Sequence, residues 1–123
     1  MKFSFAKFLK SFGFAFEGIV YAYKNEQNFR IHLGAATITI LFAFWLDFSS
    51  IRMLLLLIVI GVVLALELVN TAIERVVDLV AKHHHPLAKE AKDAASGAVL
   101  VFSIIAVIIG VLLFIEPLIN RMK

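Results

Sequence analysis

The sequence contains no cysteine, no internal repeat and no low-complexity tract. The absence of cysteine excludes disulfides, thiolate metal sites and a cysteine nucleophile. Neither a GxxxxGKS/T phosphate-binding loop nor the HRD and DFG elements of protein kinases are present. No cleavable signal peptide is expected, because Lys2, Lys7 and Lys10 interrupt the apolar start. If the protein binds a nucleotide, it therefore does so without any of these known motifs.

The composition indicates a membrane protein. Hydrophobic residues make up 62% of the chain, against about half in a typical soluble domain. The 123 residues allow one domain, residues 1–123, and leave no room for separate nucleotide and lipid modules. The net charge is +3, and the basic residues flank apolar runs. Anionic lipid headgroups are therefore expected as partners, and nucleic acid is not.

Hydrophobic periodicity predicts an all-α membrane protein with an N-terminal surface helix and three spans. Residues 1–30 hold an amphipathic helix and a juxtamembrane segment, with lysines opposite an aromatic stripe. A short packing helix explains the stripe equally well. The spans are predicted at 31–48, 51–80 and 96–116, with a cytoplasmic loop and helix start at 81–95. Trp45 suits an interfacial anchor at the end of the first span.

The distribution of Lys and Arg predicts the orientation. Three spans put residues 1–30 and the loop before the third span on the same side of the membrane. Nine of the 12 basic residues lie there, namely Lys2, Lys7, Lys10, Lys24, Arg30, Arg75, Lys82, Lys89 and Lys92. The positive-inside rule therefore predicts a cytoplasmic N-terminus in a bacterial cell membrane.

The second predicted span carries a polar face. Taking about 100° per residue, four polar side chains share a sector of roughly 80°, namely Glu67, Asn70, Glu74 and Asp78. A charge at membrane depth costs at least ~2.5–3.5 kcal/mol on insertion scales, and stacked like charges repel one another. The face therefore indicates a functional site, with a polar contact between helices of an oligomer as the alternative.

The depth of each carboxylate suggests its chemistry. Mg²⁺ prefers oxygen ligands and takes one or two carboxylates together with phosphate oxygens. Glu74 and Asp78 are predicted to lie near the cytoplasmic end, where an aqueous nucleotide can reach them. Glu67 lies about 10 Å deeper along the helix. A partly desolvated carboxylate is suited to act as a general base, and a shallower one to hold metal.

Two polar segments precede spans on the same side, residues 25–30 (NEQNFR) and 89–97 (KEAKDAASG). Each alone is typical of a solvated juxtamembrane region, but their convergence with the acidic face favours a function. The face of the second segment that suits phosphate contact through lysine carries Lys89, Lys92, Asp93 and Ser96. The histidine run at 83–85 is interpreted as part of a loop, and a zinc site is the weaker alternative.

These segments together resemble the bacterial diacylglycerol kinase and undecaprenol kinase family. The octet at 67–74 (ELVNTAIE) is highly specific, and Asp78 and residues 91–99 (AKDAASGAV) follow it. Residues 25–30 and 45–47 (WLD) match at the expected places, so the resemblance covers nearly the whole chain. It implies an ATP-dependent lipid kinase, a homotrimer of three-span subunits whose active sites are shared between neighbours.

The resemblance also implies a role for each matching residue. Glu67 would deprotonate the lipid hydroxyl, and Asn70 would orient the site. Glu26 and Glu74 would hold the Mg²⁺ that accompanies ATP. The positions that contact or border the nucleotide are Lys7, Phe14, Glu26, Glu74, His83, His84, His85, Lys92 and Asp93. The positions on the lipid side are Arg30, His32, Trp45, Glu67 and Ser96.

Some residues depart from the Gram-negative diacylglycerol kinases. Lys7 stands where those enzymes have arginine, Phe14 where they have tyrosine, and His32 replaces a carboxylate. With residues 84–89 (HHPLAK), these differences resemble the Gram-positive undecaprenol kinase branch. Undecaprenol is therefore the expected substrate. Diacylglycerol is the alternative, because it also offers a primary hydroxyl on an apolar tail.

An alternative from a different class of function is a proton- or cation-conducting membrane oligomer. Buried carboxylates line ion pathways as well as active sites. This alternative leaves Lys92 and Asp93 without a role, and it predicts ion flux in the absence of nucleotide.

Overall fold

The computed structural model describes residues 2–123, and in this part of the chain all regular structure is helical. The helices are α1 (Phe5–Asn25), α2 (Gln27–Trp45), α3 (Ser50–Val80) and α4 (Pro86–Met122). The predicted all-α class is therefore confirmed.

Side-chain caps explain where the helices begin. The Ser4 hydroxyl accepts a hydrogen bond from the Lys7 backbone N–H at the start of α1, at 3.4 Å. Ser49 caps α3 in the same way, accepting from the Arg52 N–H at 3.3 Å. At α4, His85 Nδ1 accepts from the Leu87 N–H at 3.1 Å, and Pro86 occupies the first turn. These caps satisfy N–H groups that have no partner within the helix.

Two short junctions set the directions of the first helices. Glu26 alone separates α1 from α2, with an extended backbone at φ −113° and ψ 110°. At the other end of α2, Asp47 adopts a left-handed conformation with φ 55°. The Phe48 N–H then bonds to the Ala43 carbonyl at 3.1 Å. This is the reverse-turn ending typical of helices, and aspartate tolerates it better than most residues.

Helix α3 is the centre of the bundle. It packs along α4 over the greatest length and along α2 over a shorter one, and the end of α1 contacts both α2 and α3. The apolar core of Ala43, Leu56 and Leu113 lies where α2 ends and α3 begins. This end of the bundle is the one remote from the acidic octet of α3.

Polar contacts reinforce the same end. Arg52 donates to the Leu113 carbonyl at 2.8 Å and pairs with Glu116 at 2.7 Å, which ties α3 to α4. The Arg121 guanidinium lies 4.7 Å from the centre of the Trp45 ring, which ties α4 to α2. A cation beside an indole face is a favourable arrangement at a membrane interface.

Helices α3 and α4 are each long and apolar enough to cross a membrane. They contain the predicted spans at 51–80 and 96–116. Helix α2 contains most of the predicted span at 31–48, with 19 residues in all, but the three-span count stays a prediction. The non-helical part of the predicted loop is short, because α4 begins at Pro86 and continues past Pro117 to Met122.

The aromatic stripe of α1 has little to pack against within the chain. Ala22 is the buried residue of this helix. The large side chains of the stripe are exposed, and they contact mainly one another, as Phe8 does Phe12 in an edge-on arrangement at 5.2 Å. Within the chain this apolar face is uncovered, and its position on the membrane surface stays a prediction.

Candidate active site

Glu67 is the most deeply buried charged side chain that the structure describes, with 3% of its surface exposed. Its Oε1 lies 3.2 Å from Nε2 of His32 on the facing helix α2. A buried carboxylate is stable only when a partner compensates for the lost hydration. His32 is such a partner. It contacts one oxygen of the carboxylate, Oε1.

The polar face of α3 continues from Glu67 towards its C-terminal end. Asn70 is buried and donates from Nδ2 to Oε1 of Glu74 at 3.3 Å. Its Oδ1 is buried without a hydrogen-bond partner among the described residues. Glu67 also lies close enough to Glu26 and Glu74 for their charges to act on it. The buried Glu67, the Asn70–Glu74 pair and an unsatisfied amide oxygen therefore lie along one face of α3.

Glu26 reaches this face from the junction between α1 and α2. Its Oε1 accepts from Nη2 of Arg75 at 2.9 Å, and its side chain is largely buried. Arg75 also lies 5.6 Å from the centre of the Tyr21 ring on α1. The junction that bends the chain therefore also delivers a carboxylate to α3.

Lysines of α4 approach the C-terminal end of the acidic face. Lys92 Nζ pairs with Asp78 Oδ1 at 2.5 Å, across the α3–α4 contact. Lys89 pairs with Asp93 at 2.6 Å along α4 itself, where both side chains are exposed. The four groups form an accessible charged cluster near the start of α4, suited to polar ligands.

An apolar cavity of about 450 Å³ lies between α2, α3 and α4. Such a volume is within the usual range for small-molecule sites, roughly 300–1,000 Å³. Apolar and small residues line most of it, and its polar lining residues are His32, Thr39 and Ser103. His32 therefore contacts Glu67 and also lines the cavity.

The oxygen groups of this face fit Mg²⁺ without forming a complete metal cage. Within residues 2–123 no group of three or more acidic or histidine side chains is arranged to hold a metal ion. Mg²⁺ commonly takes only one or two carboxylates and completes its shell with water and phosphate oxygens. Glu26 and Glu74, beside the unsatisfied Asn70 Oδ1, are consistent with that pattern.

The other predicted site residues are more dispersed. Lys7 and Phe14 are exposed on α1, Ser96 is exposed on α4, and residues 83–85 lie in the connection before α4, ending at its N-cap. Arg30 donates to the carbonyls of Tyr23 and Lys24, at 2.8 and 3.2 Å, and so closes the last turn of α1. None of these side chains makes a described hydrogen bond to Glu67, Asn70 or Glu74, so their roles at the nucleotide and the lipid stay predictions.

Trp45 lies far from this face. It lies 13 residues beyond His32 on the same helix, about 20 Å at 1.5 Å per residue. Its ring stacks on Phe42 and lies beside Arg121. The structure therefore does not bring Trp45 to Glu67, and its role at the lipid stays a prediction.

Sequence patterns did not identify Arg75 or Ser103 as site residues. Arg75 follows the octet and contributed only to the count of cytoplasmic charges. The Ser103 hydroxyl is buried without a hydrogen-bond partner among the described residues, inside an apolar stretch that shows no polar face. A long-range contact such as the pairing of Arg75 with Glu26 leaves no periodic signal.

Comparisons with known proteins identify the family of this chain. The family model for prokaryotic diacylglycerol kinase matches residues 13–114. An undecaprenol kinase of Bacillus subtilis is 46% identical over 112 residues, 91% of each chain. Diacylglycerol kinases of Synechocystis (44% identical, 93% of this chain and 66% of the relative) and Escherichia coli (38%, 85% of each) are also similar. The chain therefore belongs to the prokaryotic diacylglycerol kinase family, as its motifs predicted, and its enzyme class is that of an ATP-dependent lipid kinase.

Proposed function

We propose that this enzyme transfers the γ-phosphate of ATP to undecaprenol and releases undecaprenyl phosphate and ADP. The main support for undecaprenol as the acceptor is the 46% identity to an undecaprenol kinase over 91% of both chains. Diacylglycerol is the second candidate, because the Synechocystis and E. coli relatives bear that name at 44% and 38% identity.

The proposed acceptor enters from the bilayer with its tail in the apolar cavity between α2, α3 and α4. The walls of the cavity are almost entirely apolar, and its polar group nearest to the acidic face is His32. A primary alcohol on a hydrocarbon chain matches this arrangement, since only its oxygen needs a polar partner. In this proposal Arg30 and Ser96 lie on the lipid side, and a long polyprenyl tail reaches Trp45.

The chemical step proposed is direct transfer. Glu67 accepts the proton of the lipid hydroxyl, and the alcohol oxygen attacks the γ-phosphorus as the bond to the ADP oxygen breaks. His32 holds Glu67 in place, and Asn70 holds Glu74. Phosphoryl transfer depends mainly on positioning and charge compensation, so no covalent enzyme intermediate is required.

The nucleotide is proposed to bind above this base, at the cytoplasmic end of α3. Glu26 and Glu74 would hold Mg²⁺, which offsets the charge of the phosphates. Lys92 is suited to a phosphate as a mobile cation, and Asp93 neighbours it. The groups proposed to border the nucleotide more loosely are Lys7, Phe14, His83, His84 and His85.

The proposed membrane arrangement is a homotrimer of three-span subunits with cytoplasmic N-termini in the bacterial inner membrane. Support comes from the apolar side chains left exposed on α2, α3 and α4, which need lipid or another subunit to cover them. The exposed aromatic stripe of α1 supports a helix on the membrane surface. Nine basic residues at the proposed cytoplasmic side support the orientation.

A phosphate-transfer assay with both lipids tests the proposal. Purified protein in detergent or bilayers receives ATP labelled at the γ-phosphate, with undecaprenol or diacylglycerol at equal mole fraction. We expect a higher kcat/KM for undecaprenol. A preference for diacylglycerol would replace the lipid assignment, and transfer to neither lipid would refute the proposed reaction. Nucleotide-independent ion flux in liposomes would revive the ion-conducting alternative, which membership in a kinase family otherwise disfavours.

A further inference from the structure

Arg75 is a charged residue at the acidic face for which the proposed reaction gives no role. It follows Glu74 on α3, and its Nη2 lies 2.9 Å from Glu26 Oε1. Its guanidinium lies near the Tyr21 ring, at 5.6 Å from the centroid. The Arg75 side chain is about half exposed, whereas that of Glu26 is largely buried. Arg75 is therefore anchored to α1 but remains accessible to a ligand.

The pairing of Arg75 with Glu26 occupies Oε1, one of the two carboxylate oxygens available for the metal role proposed for Glu26. A divalent ion on this carboxylate would lie close to the guanidinium, and the two cations repel each other. Two outcomes relieve the repulsion. Either Arg75 leaves Glu26, or an anion comes to lie between the guanidinium and the metal ion. In this site the phosphates of the nucleotide are the anions that accompany the metal.

The chemistry of arginine favours phosphate contact in both outcomes. A guanidinium is planar and donates two parallel hydrogen bonds to a phosphate. The aromatic ring of Tyr21 gives it a surface along which it can turn while it stays near the site. Glu26 keeps its charge compensated throughout, first by Arg75 and then by the metal ion.

We infer that Arg75 is a nucleotide-binding residue of this enzyme. It pairs with Glu26 and contacts the ATP phosphates once a divalent ion occupies Glu26. This inference rests on the proposed function, specifically on Glu26 as a metal ligand. The chemical class of the ligand is a nucleoside triphosphate with its divalent cation.

Two binding measurements on the full-length protein in detergent test the exchange. The first follows Mn²⁺ alone by electron paramagnetic resonance, and the second follows a non-hydrolysable ATP analogue in the presence of Mg²⁺. For Arg75→Ala we expect Mn²⁺ to bind at least as tightly as to the wild type, because its competitor is gone. We expect analogue affinity to fall about tenfold or more, since a charge-assisted phosphate contact is lost.

Two further variants separate this role from a structural one. Lys24→Ala removes one exposed cation from the same end of α1, and both affinities should stay within about twofold of the wild type. Arg75→Lys keeps the charge but loses the planar fork, so analogue affinity should fall by an intermediate amount. A residue that only braces α1 would instead weaken both ligands together or lower thermal stability without opposite effects.

Several results would overturn the inference. Unchanged analogue affinity in Arg75→Ala would do so, as would a parallel loss of Mn²⁺ and analogue binding. Absence of Mn²⁺ binding in both proteins even when the ATP analogue is present would also do so, because Arg75 would then have no ion to yield to. If the wild type still phosphorylates undecaprenol, only the role of Arg75 fails. If it phosphorylates neither undecaprenol nor diacylglycerol, the proposed function fails regardless of Arg75.

Discussion

Replacing Glu67 by glutamine tests the proposed general base with little disturbance of the fold. Glutamine has nearly the same volume as glutamate, so the substitution leaves no cavity at this buried position. Its amide oxygen can still accept a hydrogen bond from His32 Nε2, the atom that lies 3.2 Å from Glu67 Oε1 in the structure. Removing one of three neighbouring negative charges also relieves repulsion with Glu26 and Glu74. We therefore expect the thermal stability of Glu67→Gln to match or slightly exceed that of the wild type.

The expected loss is confined to the chemical step. Positioned general bases contribute typically 10²–10⁴-fold in rate, so kcat should fall by about that factor. The corresponding increase in activation free energy is about 2.7–5.4 kcal/mol. Single-turnover transfer of labelled phosphate to undecaprenol measures this step directly. Affinity for a non-hydrolysable ATP analogue should change little, because Glu67 lies deeper than the proposed nucleotide site.

A matched control and two contrary results make this prediction decisive. Glu17→Gln makes the same chemical change at an exposed position of α1, and its turnover should equal that of the wild type. Turnover of Glu67→Gln within about threefold of the wild type would refute the role of general base, because even a weak base contributes more. A loss of analogue affinity as large as the loss of kcat would show that the Glu67 charge serves binding and not proton transfer.

Further variants test other contacts. Glu74→Ala should raise the Mg²⁺ concentration for half-maximal activity about tenfold, because the ion loses a carboxylate; an unchanged Mg²⁺ dependence would argue against a ligand. His32→Phe removes the hydrogen-bond partner of Glu67 and should lower kcat about tenfold or more. His32→Gln can still donate a hydrogen bond to Glu67, so its kcat should fall by less. Equal losses of kcat in the two variants would show that His32 has only a steric role. Arg52→Ala removes the contacts of Arg52 with the Leu113 carbonyl and Glu116. The free energy of unfolding should fall by about 1–2 kcal/mol, which a lower thermal midpoint would show. Turnover at a permissive temperature should not change.

The sequence predicted the helices well because their signals are local. Helical periodicity placed the acidic residues of α3 on one face, and the structure shows Glu67, Asn70 and Glu74 interacting there. The aromatic stripe of α1 likewise emerged from spacing alone. Caps such as Ser49 act over three residues, so sequence also carries information on where helices begin.

The pairings across helices could not be predicted in the same way. Periodicity shows which side chains share a face of α3, but not which helix faces them. His32 opposes Glu67, Lys92 opposes Asp78 and Arg75 reaches Glu26, and each contact depends on how helices far apart in sequence pack. The family resemblance identified His32 and Lys92 as site residues because their positions match site positions of the family. Arg75 belongs to no motif, and only its contact with Glu26 in the structure identified it.

The single extended residue between α1 and α2 limits how the protein can change at its amino-terminal side. Because only Glu26 separates the two helices, the connection cannot accommodate an inserted or deleted residue without moving α1. Inserting one residue into the last turn of α1 would rotate the preceding helix by about 100°. The aromatic stripe would then turn away from its present side, and the Glu26 carboxylate would move relative to α3. Substitutions on the exposed surface of α1 should therefore be tolerated far better than insertions or deletions near residue 26.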